Sequence, residues 1–407
     1  MNIAVGLSGG VDSSVAALLL KKQGHNVIGL FMQNWHNTVG THHGYCEWED
    51  ERVIAEMVAQ KLDIPFFFVD LSETYRQRVV DYMFAEYERG RTPNPDVLCN
   101  REIKFDAFIN YALNLGVEAV ATGHYARSEK KPNGHISLLA GVDANKDQSY
   151  FLCQLSQEQL LKAIFPIGNL CKSEVRRIAT EAGLPTANKK DSQGICFVGK
   201  VDLPLFLQQK LATKEGAVIE IFPSYYHHPK KRNVFGIKTG NSAAPDFAYS
   251  DLVEYMELIG YAAPFYYTID SGILIGKHQG AHFYTIGQRK GLRIGGHSKP
   301  LFVIDTDVVE NVVYVGEGDD HPGLYRKALF INSSDIHWMM PEYEVHIGQS
   351  QYVEARIRYR QPLQKALLYR IPQGLILFFE APQRGIAPGQ FATWYQKDEL
   401  FGSGVIS

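Results

Sequence analysis

The chain has 407 residues, and at roughly 100–200 residues per domain this length predicts two or three domains. Hydrophobic residues make up 45% and charged residues 21%, which excludes a disordered or collagen-like chain and leaves ample material for a core. With 41 basic and 44 acidic residues the net charge is −3, so any basic surface for a nucleic acid must be local.

Neither a membrane segment nor a leader is visible in the sequence. No apolar run approaches the ~20 residues that a membrane helix needs, and the first residues lack the basic start and apolar stretch of a signal peptide. The 5 cysteines, few and odd in number, are typical of a reducing compartment. We therefore expect a cytoplasmic protein with no membrane partner.

The N-terminal half alternates between apolar runs and helical patterns. The apolar runs predict strands at Asn2–Leu7, Val27–Met32, Phe66–Val69 and Ala119–Thr122. The patterns between them predict helices around residues 15–22, 53–62, 73–88 and 103–113. Repeated β-α units of this size predict a doubly wound parallel sheet, the fold class α/β, and ligands of such sheets bind at the carboxyl ends of the strands.

Beyond residue 205 the composition and pattern of the sequence change: glycine and proline become frequent, and helical periodicity fades. Short alternating runs predict strands at Leu301–Ile304, Val312–Val315, Val353–Tyr359 and Gly374–Phe379. We therefore expect a catalytic α/β domain over residues 1–205, a small central domain over 206–297, and a C-terminal β-barrel-like domain over 298–407.

The strongest chemical signal follows the first predicted strand. The stretch Ser8–Ser14 reads Ser-Gly-Gly-Val-Asp-Ser-Ser and stands between a strand and a helix. Glycines let the backbone approach a ligand, hydroxyls and amides donate, and the helix N-terminus favours an anion. A tight turn capped by Asp12 or Ser13 is the plainer alternative. Because the loop lacks the Gly-Lys-Ser/Thr ending of the Walker loop, ordinary γ-phosphate transfer is not indicated.

Two cysteines stand in contexts that suit chemistry. Cys99 follows a Pro-Asn-Pro turn with Asp96 three residues before it, at the start of a predicted helix whose N-terminus favours a thiolate. Cys196 lies in a glycine-containing stretch that predicts a mobile loop. For either thiol, a small buried hydrophobic residue is the common alternative.

Five further motifs occur in order along the chain: Asn94–Asn100, Thr122–Tyr125, Lys146–Tyr150, Asp191–Phe197 and Tyr284–Gly291. Together with the Ser8–Ser14 loop they closely resemble the bacterial tRNA-specific 2-thiouridylases of the ATP-pyrophosphatase superfamily, over nearly the whole chain. The resemblance implies a phosphate-loop fold and ATP-dependent 2-thiolation of the wobble uridine of tRNA. ATP adenylates the C2 oxygen, sulfur replaces it, and AMP and pyrophosphate are released.

The resemblance also implies a role for individual residues. Cys196 carries a persulfide received from a cysteine desulfurase or a sulfur-relay protein, Cys99 is the catalytic nucleophile that helps free or hand over this sulfur, and a disulfide joins the two during the cycle. Asp96 is the acid/base candidate. ATP arrives with Mg²⁺, for which Asp12 is the tentative partner. The ATP-binding residues so implied are Gly6, Leu7, Ser8, Gly9, Gly10, Val11, Asp12, Ser13, Met32 and Gly123.

Contacts to tRNA are implied in the same way. The target base is expected at Asn94, Pro95 and Asp96, after it has left its stack. Other tRNA contacts are expected at His124, Lys146, Asp147, Gln148, Arg358, Tyr359 and Gln390. Independently, alternation along the predicted strand puts Arg356, Arg358 and Arg360 on one face, which suits a phosphate backbone as well as a solvated surface.

Residues near 220–270 depart from the family pattern, which is shorter there. The stretch combines tyrosines with the basic run Lys230–Arg232. It predicts an insertion that either extends tRNA contact or, as we slightly favour, is a species-specific packing element.

Three other readings of the sequence stay open. An amidating synthetase of the same superfamily gives no reason for the two cysteines. A 4-thiouridine synthase would be expected to carry RNA-binding domains before the phosphate loop. An RNA-binding protein with a vestigial ATP loop is disfavoured by the intact Ser8–Ser13 stretch.

Overall fold

The computed structural model describes residues 1–35, 48–190, 203–227 and 259–407. Cys46, Cys196 and residues 228–258 of the predicted insertion lie outside the described residues. Within the described ranges, no helix is long and apolar enough to cross a membrane.

The helices and strands are as follows. The α-helices are α1 (Val11–Lys22), α2 (Trp48–Lys61), α3 (Ser72–Tyr75), α4 (Asp81–Glu88), α5 (Pro95–Leu98), α6 (Phe108–Asn114), α7 (Gln157–Leu161), α8 (Lys172–Glu181) and α9 (Leu203–Leu207). The strands are β1 (Asn2–Gly6), β2 (Asn26–Gln33), β3 (Phe66–Asp70), β4 (Ala119–Ala121), β5 (Ala126–Lys130), β6 (Ile136–Ala140), β7 (Ala163–Ile164), β8 (Gly216–Glu220), β9 (Ile273–His278), β10 (Leu301–Asp307), β11 (Val312–Glu317), β12 (Tyr325–Asn332), β13 (Ile336–Trp338), β14 (Ser350–Arg356), β15 (Gln364–Ile371), β16 (Gly374–Arg384), β17 (Phe391–Gln396) and β18 (Glu399–Val405).

A parallel sheet in the order β3-β2-β1-β4-β7 forms the N-terminal domain and confirms the predicted fold class. Strand β1 shows why both faces are covered, because Ala4 enters one core while Ile3 and Val5 enter the other. The core that holds Ala4 also contains Cys99 and Phe391, so the N-terminal domain and the C-terminal barrel share one hydrophobic core.

Two long helical runs in this domain contain π-type segments. Residues 72–88 change to π geometry over Arg76–Val80, and residues 95–114 do so over Cys99–Ala107. Such segments are rare and frequently mark functional sites. The second one begins at the predicted nucleophile.

The central sheet has the order β10-β11-β8-β9. It takes β8 and β9 from residues before 297 and β10 and β11 from residues after it, so one sheet spans the predicted boundary between the second and third domains.

The C-terminal sheet has the order β12-β16-β15-β14-β17-β18-β6-β5, with β13 paired to β18. Its last two strands come from the N-terminal part of the chain, where residues 126–140 form a hairpin. This hairpin joins the first and last parts of the chain through hydrogen bonds as well as through the shared core.

Candidate active site

The phosphate loop is closed by its own serines. Ser13 Oγ donates to the carbonyl of Gly10 at 3.1 Å and accepts from the amide of Ser8 at 3.2 Å. Ser14 Oγ also donates to Gly10 at 2.8 Å. Gly10 is the N-cap of α1 and has no side-chain acceptor for the amides of the first turn. Those amides are therefore available to an anion.

Two glycines leave room at this helix end. Gly9 has φ +68°, and a Cβ there would lie 2.5 Å from the carbonyl oxygen of Glu51. A Cβ on Gly123 would lie 2.6 Å from the amide nitrogen of Ser13. The carboxyl ends of β1 and β4 thus meet at the start of α1, where the sequence predicted nucleotide binding.

Asp12 holds a lysine that the sequence analysis missed. Lys172 Nζ lies 2.7 and 2.8 Å from the two carboxylate oxygens of Asp12, and the Tyr125 hydroxyl donates to Oδ1 at 2.7 Å. Lys172 is the first residue of α8, where the helix dipole disfavours a cation. A lysine at that unfavourable position was the signal available in the sequence.

The predicted binding site for the target base lies at residues 92–96, here named the target-base corner. Residues from distant parts of the chain build it. Asn94 caps α5 by accepting from the amide of Val97 at 3.3 Å, and Pro95 takes the first helical position. Gln390 donates to the carbonyls of Thr92 and Pro93 at 2.9 and 3.2 Å. The C-terminal barrel therefore fixes the shape of this loop.

Cys99 follows this corner and is fully buried, whereas Asp96 is partly exposed. The neighbouring Asn100 is 2% exposed, and its Nδ2 donates to the carbonyl of Phe151 at 3.0 Å. Its Oδ1 has no hydrogen-bond partner within the described residues.

The helical run 95–114 carries Cys99, and this cysteine helix is linked to the phosphate loop in two places. Phe108 passes the carboxyl end of β1, with its Cζ 3.5 Å from the Cβ position of Gly6. Gly123 packs on Ser13, while the next residue, His124, lies with its ring centroid 6.0 Å from that of Phe105. Met32 completes this region from the buried carboxyl end of β2.

Comparison with known proteins places this architecture in a family. Three family models match: a tRNA methyl transferase HUP domain over residues 1–200, a tRNA methyl transferase PRC-barrel domain over 263–317, and an aminomethyltransferase beta-barrel domain over 330–406. A tRNA-specific 2-thiouridylase MnmA from Christiangramia forsetii is 54% identical over 410 residues, covering 100% of this chain and 99% of that protein. The chain belongs to the tRNA-specific 2-thiouridylase family.

Two other thiouridylases support the assignment. The protein from Flavobacterium johnsoniae is 54% identical over 408 residues, with 100% of this chain and 99% of the relative covered. The protein from Karelsulcia muelleri is 45% identical over 408 residues, with 100% and 98% covered. The insertion expected near residues 220–270 stays a prediction.

The strand face that was predicted to carry Arg356, Arg358 and Arg360 is not formed. β14 ends at Arg356, which is 5% exposed and whose guanidinium lies 2.6 Å from Asp147 Oδ2. Asp147 is 7% exposed and also accepts from the amides of Gly141 and Ser149, each at 3.0 Å. Arg356 and Asp147 form a buried ion pair between the barrel and the N-terminal domain, and the tRNA contact expected at Asp147 stays a prediction.

His124 is another expected tRNA contact that lies inside the protein. It is 8% exposed, and its Nδ1 lies 2.8 Å from the hydroxyl of Thr122. Burial lowers the pKa of His124 well below its usual range, and the charge of Lys104 acts in the same direction. The ring is therefore neutral and shielded from a polynucleotide in this state.

The remaining expected contacts lie closer to solvent. Lys146 is partly exposed, and Gln148 is half-buried with its Oε1 accepting from the amide of Tyr125 at 3.0 Å. Arg358 and Tyr359 follow β14 in a turn, where Arg358 donates to the carbonyl of Gly385.

The side chains around Asp12 do not fit a direct magnesium ligand. Its Oδ1 receives two hydrogen bonds and its Oδ2 one, all from Lys172 and Tyr125. Nor does the described part of the chain contain a group of three metal-ligating side chains. The arrangement fits an anchor for Lys172.

Proposed function

We propose that this protein uses ATP to place sulfur on C2 of the wobble uridine of tRNA. One observation supports this most strongly: the phosphate loop and the cysteine helix are joined through Gly123 and His124, which contact Ser13 and Phe105 respectively. A nucleotide at the start of α1 would then lie at the carboxyl edge of the sheet, where Gly6 also contacts Phe108 of the cysteine helix. The name shared by the relatives, tRNA-specific 2-thiouridylase, agrees with this chemistry.

The phosphates of ATP would be held by the first amides of α1 and by Lys172. Attack of the uridine C2 oxygen on the α-phosphorus forms the adenylated base and breaks the bond to pyrophosphate, on which negative charge develops. The Lys172 ammonium and the helix N-terminus would stabilise that charge, because both are fixed before the reaction starts. Asp12 and Tyr125 would hold the lysine in place.

Sulfur transfer would use both predicted cysteines. The Cys99 thiolate attacks the inner sulfur of the Cys196 persulfide, which forms a Cys99–Cys196 disulfide and releases hydrosulfide. Hydrosulfide then attacks C2, AMP leaves, and the lost proton goes to a base for which Asp96 is our candidate. A dithiol reductant restores the two cysteines, and a cysteine desulfurase or relay protein reloads Cys196. The cytoplasm, where tRNA is modified, is the proposed location.

Mass spectrometry of nucleosides tests this proposal. Unmodified tRNA is incubated with the protein, ATP, Mg²⁺, a dithiol and a persulfide-generating desulfurase. We expect 2-thiouridine at the wobble position, formed only with ATP. Sulfur at C4, or at another base, would overturn the substrate assignment. No sulfur gain with a demonstrably loaded Cys196 would overturn the proposed activity.

A further inference from the structure

The loop that follows β6, residues 141–148 and here named the bridging loop, is anchored to the barrel. The carbonyl of Asp143 accepts from the amide of Asp147 at 2.8 Å, which draws the backbone into a tight turn. The Asp147 carboxylate closes the loop by accepting from the amide of Gly141 at 3.0 Å, and the same carboxylate pairs with Arg356. A residue of the barrel therefore fixes the position of this loop.

The bridging loop also holds the start of α8. Asp143 Oδ2 accepts from the backbone amide of Lys172 at 2.9 Å, and its Oδ1 accepts from the amide of Asn145 at 3.0 Å. The amide of Lys172 belongs to the first turn, which an α-helix leaves without internal acceptors. A carboxylate at this helix end also offsets the unfavourable position of the lysine. Asp143 thus fixes the main chain from which the Lys172 side chain extends.

A second set of contacts from the bridging loop reaches the same lysine through Tyr125. The amide of Gln148 donates to the Tyr125 carbonyl at 2.9 Å, and Gln148 Oε1 accepts from the Tyr125 amide at 3.0 Å. The Tyr125 hydroxyl donates to Asp12 at 2.7 Å, and Lys172 Nζ lies 5.7 Å from the centroid of the tyrosine ring. The main chain of Lys172 and its ammonium group therefore both depend on the bridging loop.

Fixing a lysine in this way has a consequence for its electrostatics. A lysine side chain is flexible, and an ammonium group stabilises developing charge best when it is held in place before the reaction. The Lys172 side chain is 13% exposed, so water screens its charge only weakly. Loss of the contact to Asp143 would leave the ammonium present but would release the main chain that carries it.

We propose that Asp143 is a positioning residue for Lys172, through which the bridging loop holds the ammonium group toward the phosphates of ATP. The inference rests on the proposed function for the reaction that this ammonium serves. Under the proposal Asp143 contacts neither ATP nor RNA and acts only through Lys172.

The test is a double-mutant cycle of Asp143→Ala and Lys172→Met in the full-length protein. Two quantities are measured: the single-turnover rate constant of pyrophosphate release from ATP with tRNA, and the Kd of inorganic pyrophosphate with Mg²⁺ by calorimetry. Asn145→Ala is the matched control, because Asn145 is exposed in the same loop and bonds to Asp143 through its backbone amide. A second cycle with Tyr125→Phe, which removes only a hydroxyl, serves where thermal unfolding shows that Asp143→Ala does not fold.

Asp143→Ala should lower the rate constant about tenfold, less than the ~100-fold loss expected for Lys172→Met, because the lysine remains but is displaced. The Kd of pyrophosphate should rise several-fold. In the Lys172→Met background Asp143→Ala should change neither quantity, because residues that act through one another have non-additive effects. Tyr125→Phe should follow the same pattern, and Asn145→Ala should match the unchanged protein.

Equal losses from Asp143→Ala in the presence and absence of Lys172 would overturn the proposal, since they would show a general disturbance of the fold. Unchanged values for both Asp143→Ala and Tyr125→Phe would overturn it as well. A protein that releases no pyrophosphate with tRNA, yet shows non-additive changes in the Kd of pyrophosphate, would refute the proposed function and support the role of Asp143. Additive losses in a protein that does form 2-thiouridine would support the function and refute this role.

Discussion

The phosphate loop and the side of the barrel that carries Arg356 and Gln390 are built from contacts of very different sequence range. In the loop, Ser8 bonds to Ser13, five residues away. On the barrel side, Gln390 bonds to Thr92 across 298 residues, and Arg356 pairs with Asp147 across 209. A site made by one strand–turn–helix can be predicted from residue spacing. A site made by the packing of distant segments cannot, because spacing does not show which segments meet.

The largest expected effect is the loss of 2-thiouridine formation, because under the proposed function this reaction uses both the phosphate loop and the barrel-supported corner before Cys99. Cys99→Ser and Cys196→Ser should each abolish 2-thiouridine formation while ATP affinity, measured by calorimetry, stays unchanged. Serine cannot form the disulfide that releases the sulfur. Cys171→Ser is the control, since Cys171 is the N-cap of α8 and serine is favoured there. Thiolation by either of the first two variants would refute the assigned roles.

For Arg356 we expect an effect on the stability of the protein and not on its affinity for tRNA, because the side chain is buried in an ion pair with Asp147. Arg356→Ala should lower the free energy of unfolding by about 3–5 kcal/mol, since it leaves the buried Asp147 carboxylate unpaired. Urea unfolding measures this. Arg358→Ala, in the exposed turn, should cost about 0.5 kcal/mol or less. Weaker tRNA binding by Arg356→Ala at unchanged stability would restore the predicted arginine face.

A substitution of Lys172 tests whether the phosphate loop alone suffices for adenylation or also needs this residue, which is distant in sequence. Lys172→Met should lower the rate constant of adenylation about 100-fold, the order expected when one preorganised group for developing charge is removed. Single-turnover adenylation of tRNA measures the effect. Lys22→Met, at an exposed lysine in the last turn of α1, should behave like the unchanged protein. Equal rates for the two variants would limit Lys172 to a structural role beside Asp12.

Gln390 gives the smallest effect. Gln390→Ala removes two hydrogen bonds to the loop before Asn94 and should lower kcat/KM for tRNA about tenfold, at ~1 kcal/mol or less per bond. Steady-state thiolation measures this loss, with Gln396→Ala on the exposed end of β17 as control. A loss shared by both variants would show that the barrel as a whole, not this contact, was disturbed.

Local features of this chain could be predicted from its sequence, and long-range contacts could not. β1 to β4 and the loop at Ser8–Ser14 were predicted because their periodicity and turn residues are local. The strand predicted to reach Tyr359 ends at Arg356, because the chain turns there and Arg360 takes φ +65°. Alternation placed the arginines on one face. It could not show that Asp147 would meet one of them inside the protein.

The β5–β6 hairpin has a consequence for how the protein is made. Residues 126–140 leave the ribosome long before β18, to which β6 bonds at Leu400 and Glu399. Until then the hairpin has an unpaired edge, and edges of this kind invite association with other chains. A fragment that ends after the first domain would keep that edge permanently, and the barrel expressed alone would lack two of its strands. The hairpin therefore gains its second sheet partner only when the last strand of the chain has been made.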